Sequence, residues 1–311
     1  MQNNKVSIVS PVYRAEKIVD ELVRRIKLEI EKITPDFEII LVEDGSPDAS
    51  WEKIKENCKK DSRVKGIKLT RNFGQHFAIS AGLEASKGDY VIVMDCDLQD
   101  DPVYFPQMLK KAEEGYKIIL TSKNERKHGF FKNLISKLFY TVFNFLADNK
   151  ASEASGKVGS YSVISREVVN EYIKIGDYKR HYLMLLRWLG FESAYIPIEH
   201  NKRFEGNSSY NLKKLMIHAL DGITAQSDKL LRLTAIFGFL LALISIIASI
   251  FVIVSYLISP FQAGWASLFV LTLFIGGMVI LSIGISGIYI GRIFEQTKNR
   301  AKYIVDKKCN L

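Results

Sequence analysis

The sequence predicts an α/β fold: a mostly parallel sheet with helices on both faces, followed by a C-terminal two-helix transmembrane hairpin. Two observations carry this expectation. Up to about residue 121, short apolar runs alternate with amphipathic ones, the signature of βαβ units. Between Arg232 and Arg292 there is then not one Asp, Glu, Lys, Arg or His.

Each element follows from its local pattern. Val6–Val12 reads as a first strand, with a helix from about Ala15 to Ile33. Phe37–Val42 is a second strand, followed by a helix over Trp51–Lys60. Val64–Leu69 and Tyr90–Met94 bracket a helix near His76–Ser86, and Lys117–Thr121 follows a helix at Val103–Glu114. Beyond Ser122, Phe130, Phe131, Leu134, Ile135, Leu138, Phe139, Val142 and Phe143 recur at helical spacing, as a core helix or one lying in a membrane interface. A strand at Tyr161–Ser165, helices near Val168–Ile175 and Tyr182–Trp188, and a loop at Asn201–Tyr210 lead to the charge-free stretch.

A charge at a helix centre costs about 2.5–3.5 kcal/mol on insertion, so the empty interval is informative. Ser259-Pro260-Phe261-Gln262-Ala263-Gly264 divides it at a turn. Leu233–Ile258 and Ala266–Ile290 each exceed the ~20 residues needed to span a bilayer. Lys213, Lys214, Lys229 and Arg232 precede the first span and Arg292, Lys298, Arg300, Lys302, Lys307 and Lys308 follow the second, while the connecting loop is uncharged. The positive-inside rule therefore places both termini in the cytoplasm, in an integral, multi-pass membrane protein. The chain enters a strand pattern almost at once, so no secretory leader is expected. The expected organisation is a soluble domain at 1–210, a juxtamembrane amphipathic helix at 211–232, the hairpin at 233–291 and a basic tail at 292–311. The net charge of +9 then faces membrane lipid rather than nucleic acid. Cys58, Cys96 and Cys309 have no metal-type spacing and read as ordinary thiols. Gly276-Gly277, Gly284, Gly287 and Gly291 permit close helix contact, within the hairpin or in a homo-oligomer.

The chemistry gathers where strands end. Asp95-Cys96-Asp97 follows the apolar run Tyr90–Met94, and alternate residues of extended chain face one way, so both carboxylates can share a crevice. Adjacent carboxylates repel unless a cation joins them, and hard oxygen ligands suit Mg²⁺ or Mn²⁺ together with phosphate oxygens. An Asp-x-Asp triplet also occurs by chance or as a capping cluster. Asp101 before Pro102 takes the capping role, leaving Asp95, Asp97 and Gln99 for metal and phosphates. Asp44 follows the second strand, where a carboxylate accepts from ribose hydroxyls or a base N–H, or else shapes an Asp-Gly turn. No G-x-G-x-x-G follows the first strand and no G-x-x-x-x-G-K-[ST] occurs, which removes the main support for dinucleotide binding and ATP hydrolysis.

Several stretches then resemble a known family. Ser10-Pro11-Val12-Tyr13, Val42-Glu43-Asp44-Gly45-Ser46, Arg71-Asn72-Phe73-Gly74, Gly82-Leu83, Gly88-Asp89 and Met94–Asp100 occur in the order seen in family 2 glycosyltransferases of GT-A, Rossmann-like fold. Arg187–Phe191, Arg203–Tyr210, Asp221-Gly222-Ile223 and the hairpin resemble the branch of bactoprenol glucosyltransferases and dolichyl-phosphate mannose synthases. The resemblance implies inverting transfer of a sugar from a nucleotide sugar of UDP type to a polyprenyl phosphate at the cytoplasmic face. Pro11, Tyr13, Glu16, Asp44 and Asp95 would hold the nucleotide, and Asp97 and Gln99 the metal and diphosphate. Asp97 and Arg203 are the expected catalytic residues, with Arg126, Lys132 and Ser209 as candidates for the acceptor phosphate. Lys132 reads equally as a solvated or lipid-facing charge. One departure stands out: related enzymes commonly carry Gly-Asp-Phe where this chain has Gly159-Ser160-Tyr161. Serine is no carboxylate base, and a hydroxyl acceptor needs one, whereas a lipid phosphate arrives already anionic. Transfer to a hydroxyl of a glycolipid or glycan, with another base, is the alternative; a catalytically silent membrane scaffold is the third.

Overall fold

The computed structural model describes residues 4–123, 158–177, 180–199, 227–258 and 264–311. They divide into two compact units. The first is an eight-stranded mixed sheet, built from β1 (Val6–Val12), β2 (Phe37–Glu43), β3 (Val64–Leu69), β4 (Tyr90–Val93), β5 (Ile118–Lys123), β6 (Val158–Ser165), β7 (Ser193–Ile198) and β8 (Val305–Cys309). Their order is β7-β5-β6-β4-β1-β2-β3-β8. The central run β4-β1-β2-β3 is parallel, whereas β6 pairs antiparallel with β4 and β5, and β8 antiparallel with β3.

The helices cover both faces, as expected. On one lie α1 (Val19–Ile30), α2 (Ser50–Lys60) and α4 (Phe105–Glu113); on the other lie α3 (Gln75–Ala85), α5 (Arg166–Lys174) and α6 (Tyr182–Leu189). This sandwiching is why β1 and β2 are buried at every position. Helix α1 presents Val19, Leu22, Val23, Ile26 and Ile30 at i, i+3, i+4 spacing, and each such fully buried side chain contributes about 1.5–3 kcal/mol. The Gly88-Asp89 motif meets the end of β6: the Arg166 guanidinium donates to the Gly88 carbonyl at 2.8 Å, and Arg166 N–H to Asp89 O at 2.8 Å. These residues hold β4 to β6 rather than face a ligand.

Three expectations need correction. Helix α1 begins at Val19, not Ala15: the amides of Ala15 and Glu16 bond to Ser50 Oγ and Asp48, and Ala15 O accepts Ile18 N–H in a turn that leads into the helix. The strand β7 is absent from the sequence pattern, since Pro197 and polar Ser193 obscure it; as an edge strand it tolerates proline. The basic tail is not a free tail: Val305–Cys309 form the other edge of the sheet, where exposed lysines suit an edge. Asn310 completes the attachment by donating to Cys58 O at 2.7 Å and Val64 O at 2.8 Å. Tyr303 Oη donates to Glu84 at 2.6 Å and Thr70 N–H to Ile304 O at 3.0 Å.

The second unit contains two long helices, α7 (Lys229–Ile258, 30 residues) and α8 (Trp265–Thr297, 33 residues). Within α8, Phe274–Thr297 is long and apolar enough to cross a membrane. Along both helices large apolar side chains face outward, among them Phe239, Phe251, Ile280 and Ile290. Tyr289 Oη donates to Ser227 O at 2.8 Å, joining α8 to the start of α7. The amphipathic stretch at 130–143 and most of 211–232 lie outside the described residues.

Candidate functional site

The strands β1, β2 and β3 succeed one another in one direction across the sheet, and β4 returns to the other side of β1. Loops diverge at such a reversal and leave a crevice beyond the carboxyl ends. A cleft of about 320 Å³ lies there, lined by Pro11, Val12, Tyr13, Asp44, Asn72, Gly74, Gln75, Asp95, Cys96 and Asp97. A second crevice of about 340 Å³ lies between α1 and α2. Its charges already satisfy one another, as in the 2.6 Å Lys27–Asp61 pair, and no carboxyl end of a strand lines it. The two are of similar size, and the arrangement of functional groups favours the first.

Asp44 is buried, and both its oxygens are engaged: Oδ1 accepts Phe73 N–H at 2.7 Å and Oδ2 accepts Gly74 N–H at 2.9 Å. Burial pushes its carboxyl above the ordinary value, against these two amides and the nearby Arg71 charge. Asp44 therefore lines the cleft and also fixes the β3–α3 loop. Gly45 makes the approach possible, since its φ is +61° and a Cβ there would meet the Arg71 carbonyl carbon at 2.2 Å. Gly74, with φ +104°, turns the loop into α3.

The acidic pair follows β4. Asp95 Oδ1 accepts from Gln75 Nε2 at 2.6 Å and from Ser160 Oγ at 3.0 Å. Asp97 Oδ1 accepts Gln99 N–H at 3.1 Å, folding the chain back after Leu98. Leu98 itself is held at φ +58°, and Arg14, after Tyr13, at φ +53°. Left-handed backbone is costly for residues with a Cβ, and here it occurs on both sides of the cleft. Desolvation pushes the Cys96 thiol up to about 12, reinforced by the flanking Asp95 and Asp97 charges, so it remains a protonated spacer. Asp101 takes the capping role expected of it, accepting Val103 N–H at 3.1 Å.

The structure thus brings Pro11, Tyr13, Asp44, Asp95 and Asp97 into one cleft. Glu16 is not among the lining residues; its carboxylate accepts Ala49 N–H at 3.0 Å at the start of α2. Gln99 lies beside Asp97 through its backbone and is likewise off the cleft lining. Arg126, Lys132, Arg203 and Ser209 fall outside the described residues. Asn72, Gln75 and Ser160 had no assigned contact in the sequence. The Arg71–Gly74 motif holds Asn72 and adjoins Gln75, and the unusual serine is Ser160, but only the fold joins Gln75 and Ser160 to Asp95.

Among the described residues no three His, Cys, Asp or Glu side chains gather to hold a metal. The donor set at the cleft is nonetheless all oxygen, from Asp95 and Asp97, which fits a hard cation completed by phosphate oxygens and water. Asp97, with Gln99 beside it, is the position from which such an ion would be held.

Comparison with known proteins assigns the lineage. The model of Glycosyl transferase family 2 matches residues 7–173, more than half of the chain. The uncharacterized glycosyltransferase YkcC of Bacillus subtilis is 33% identical, covering 98% of this chain and 94% of its own. The SfII prophage-derived bactoprenol glucosyl transferase of Shigella flexneri is 34% identical, with 97% and 98% covered. Glucosyl-3-phosphoglycerate synthase from Mycobacterium tuberculosis, solved with Mn²⁺ and UDP-glucose, superposes with a TM-score of 0.51 at 16% identity, over 72% of this chain and 78% of that one. That superposition shares the GT-A sheet, and the family match contains every strand end that lines the cleft; the chain belongs to glycosyl transferase family 2.

Proposed function

We propose that the protein transfers a hexose or N-acetylhexosamine, with inversion, from a UDP-linked donor to a polyprenyl phosphate at the cytoplasmic membrane face. The observation that carries this reading is the placement of Asp95 and Asp97 with Asp44 in one strand-end cleft of a chain that also bears long apolar helices. The full-length relatives named bactoprenol glucosyl transferase support the lipid acceptor, and the fold neighbour solved with Mn²⁺ and UDP-glucose supports the donor class.

Asp97, with Gln99, would hold Mg²⁺ or Mn²⁺ against the donor diphosphate, and Asp95 and Asp44 would face the nucleoside. A bound divalent ion supplies Lewis-acid stabilisation of charge on the leaving diphosphate. The acceptor phosphate oxygen attacks the anomeric carbon from the face opposite UDP; the new C–O bond forms as the bond to UDP breaks. No general base is required, because the acceptor is already anionic, and Ser160 beside Asp95 is compatible with that. Arg203, Ser209, Arg126 and Lys132 are the proposed cationic and hydroxyl contacts of the phosphates.

The connectivity supports two membrane crossings. Strand β8 is hydrogen-bonded to β3 in the same sheet as β1, so strands that precede α7 and the strand that follows α8 belong to one sheet. A single crossing would separate β8 from β3 by a bilayer. Two crossings return the chain to the side it left, as the positive-inside reading requires.

The test combines protein in detergent with a panel of nucleotide sugars, polyprenyl phosphate and Mg²⁺ or Mn²⁺, with product mass spectrometry. A lipid-linked sugar phosphodiester is the expected product. A neutral glycosidic linkage would replace the acceptor assignment by the hydroxyl reading, and no turnover of any donor would overturn the transferase reading. Asp97→Ala is expected to lower kcat at least a hundredfold, of the order found for groups stabilising transition-state charge.

A further inference from the structure

We propose that Gln75 and Ser160 act together as positioning residues that set the orientation of Asp95 towards the donor nucleotide. The inference rests on reading the cleft as the donor site, and it assigns a task to two residues that reading leaves unused.

Both donors converge on a single oxygen: Gln75 Nε2 lies 2.6 Å and Ser160 Oγ 3.0 Å from Asp95 Oδ1. The terminal torsion of an aspartate is broad, so a carboxylate past the end of a strand has no intrinsic aim. Two donors fixed on Oδ1 remove that freedom and direct Oδ2 by geometry. Charge-assisted bonds of this kind are among the stronger ones in proteins.

The two arms are anchored independently. Ser160 sits on β6, whose antiparallel register with β4 pairs Val93 with Ser162 and carries Ser160 across from Asp95. Behind it, Ser162 Oγ donates to Ser160 O at 3.0 Å and lies 2.8 Å from the buried Tyr182 hydroxyl. Gln75 opens α3 directly after Phe73 and Gly74, the two residues whose amides Asp44 holds. A continuous chain of contacts thus runs from Asp44 through the loop and Gln75 to Asp95, joining the β2 and β4 sides of the cleft. Both donors are neutral, so neither cancels the Asp95 charge, as a lysine in either place would.

The test reads binding and turnover separately. Gln75→Ala and Ser160→Ala are each expected to weaken UDP binding in the presence of Mn²⁺ about tenfold by titration calorimetry, the worth of one good hydrogen bond. The donor KM should rise similarly, with the polyprenyl phosphate KM unchanged. Ser160→Thr keeps the hydroxyl and should restore most of the loss. The double alanine variant should lose less than the product of the single losses, because both act on one oxygen. Thermal unfolding of Ser160→Ala close to wild type separates positioning from folding. Wild-type UDP affinity in both single variants, or a Thr variant no better than Ala, would overturn the proposal. Weaker UDP binding in a protein that proves to transfer no sugar to lipid would uphold the clamp while removing the lipid-acceptor reading.

Discussion

Replacing Asp44 by asparagine tests how the cleft is held together. The wild-type carboxylate, only 3% exposed, accepts Phe73 N–H at 2.7 Å and Gly74 N–H at 2.9 Å on separate oxygens. Asparagine supplies one carbonyl oxygen, and its amide group must then face one of the two N–H donors. One charge-assisted bond, worth about 1.5–3 kcal/mol, is lost, and the other becomes neutral. Part of this returns, because burial already pushes the Asp44 carboxyl upward and the neutral amide is less costly to bury. The net loss is about 1–2 kcal/mol, which for a unit of this size lowers Tm by about 2–8 °C. Hydrogen exchange should accelerate selectively at Phe73 and Gly74, while the β1 amides stay protected. A Tm within a degree of wild type, with unchanged exchange at those two amides, would refute the claim that Asp44 fixes the loop.

Further outcomes follow from other contacts. Gly45→Ala drives a Cβ into backbone at 2.2 Å from the Arg71 carbonyl carbon and at a φ of +61°, so soluble yield or Tm should fall more than for Asp44→Asn. Asn310→Ala removes the bonds to Cys58 O and Val64 O; a loss of about 1–2 kcal/mol and faster proteolysis within 300–311 are expected, read by mass spectrometry. Hydrogen bonds from Arg63, opposed by burial and aided by Lys27, hold the Asp61 carboxyl well below the usual carboxylate range. Its contribution to stability is therefore complete above the ordinary aspartate value and is lost as pH falls through the depressed one, so Asp61→Asn should flatten the acid limb of the Tm profile below about pH 4.

The sequence by itself determined the elements whose neighbours are local. The short, mostly apolar runs Val6–Val12 and Phe37–Val42, each followed by a helical pattern, read as strands covered on both faces, and the spacing of Leu22, Ile26 and Ile30 specifies the buried stripe of α1. Asp95 and Asp97 were legible because an acidic pair directly after such a run must leave the core at a strand end. The charge-free interval marked the long helices by composition alone. The tertiary structure decided what depends on partners distant in the chain. Edge strands β7 and β8 bury few of their side chains, so their sequences hold too few apolar positions to mark a strand, and their pairing is set by what lies beside them. Glu16 looked like a ligand residue until the fold gave its carboxylate to Ala49. Ser160 is 65 residues from Asp95 in sequence, and only the antiparallel register of β6 with β4 brings its hydroxyl to that carboxylate. Local periodicity records which side of an element faces the core; it does not record which side chain waits across the gap.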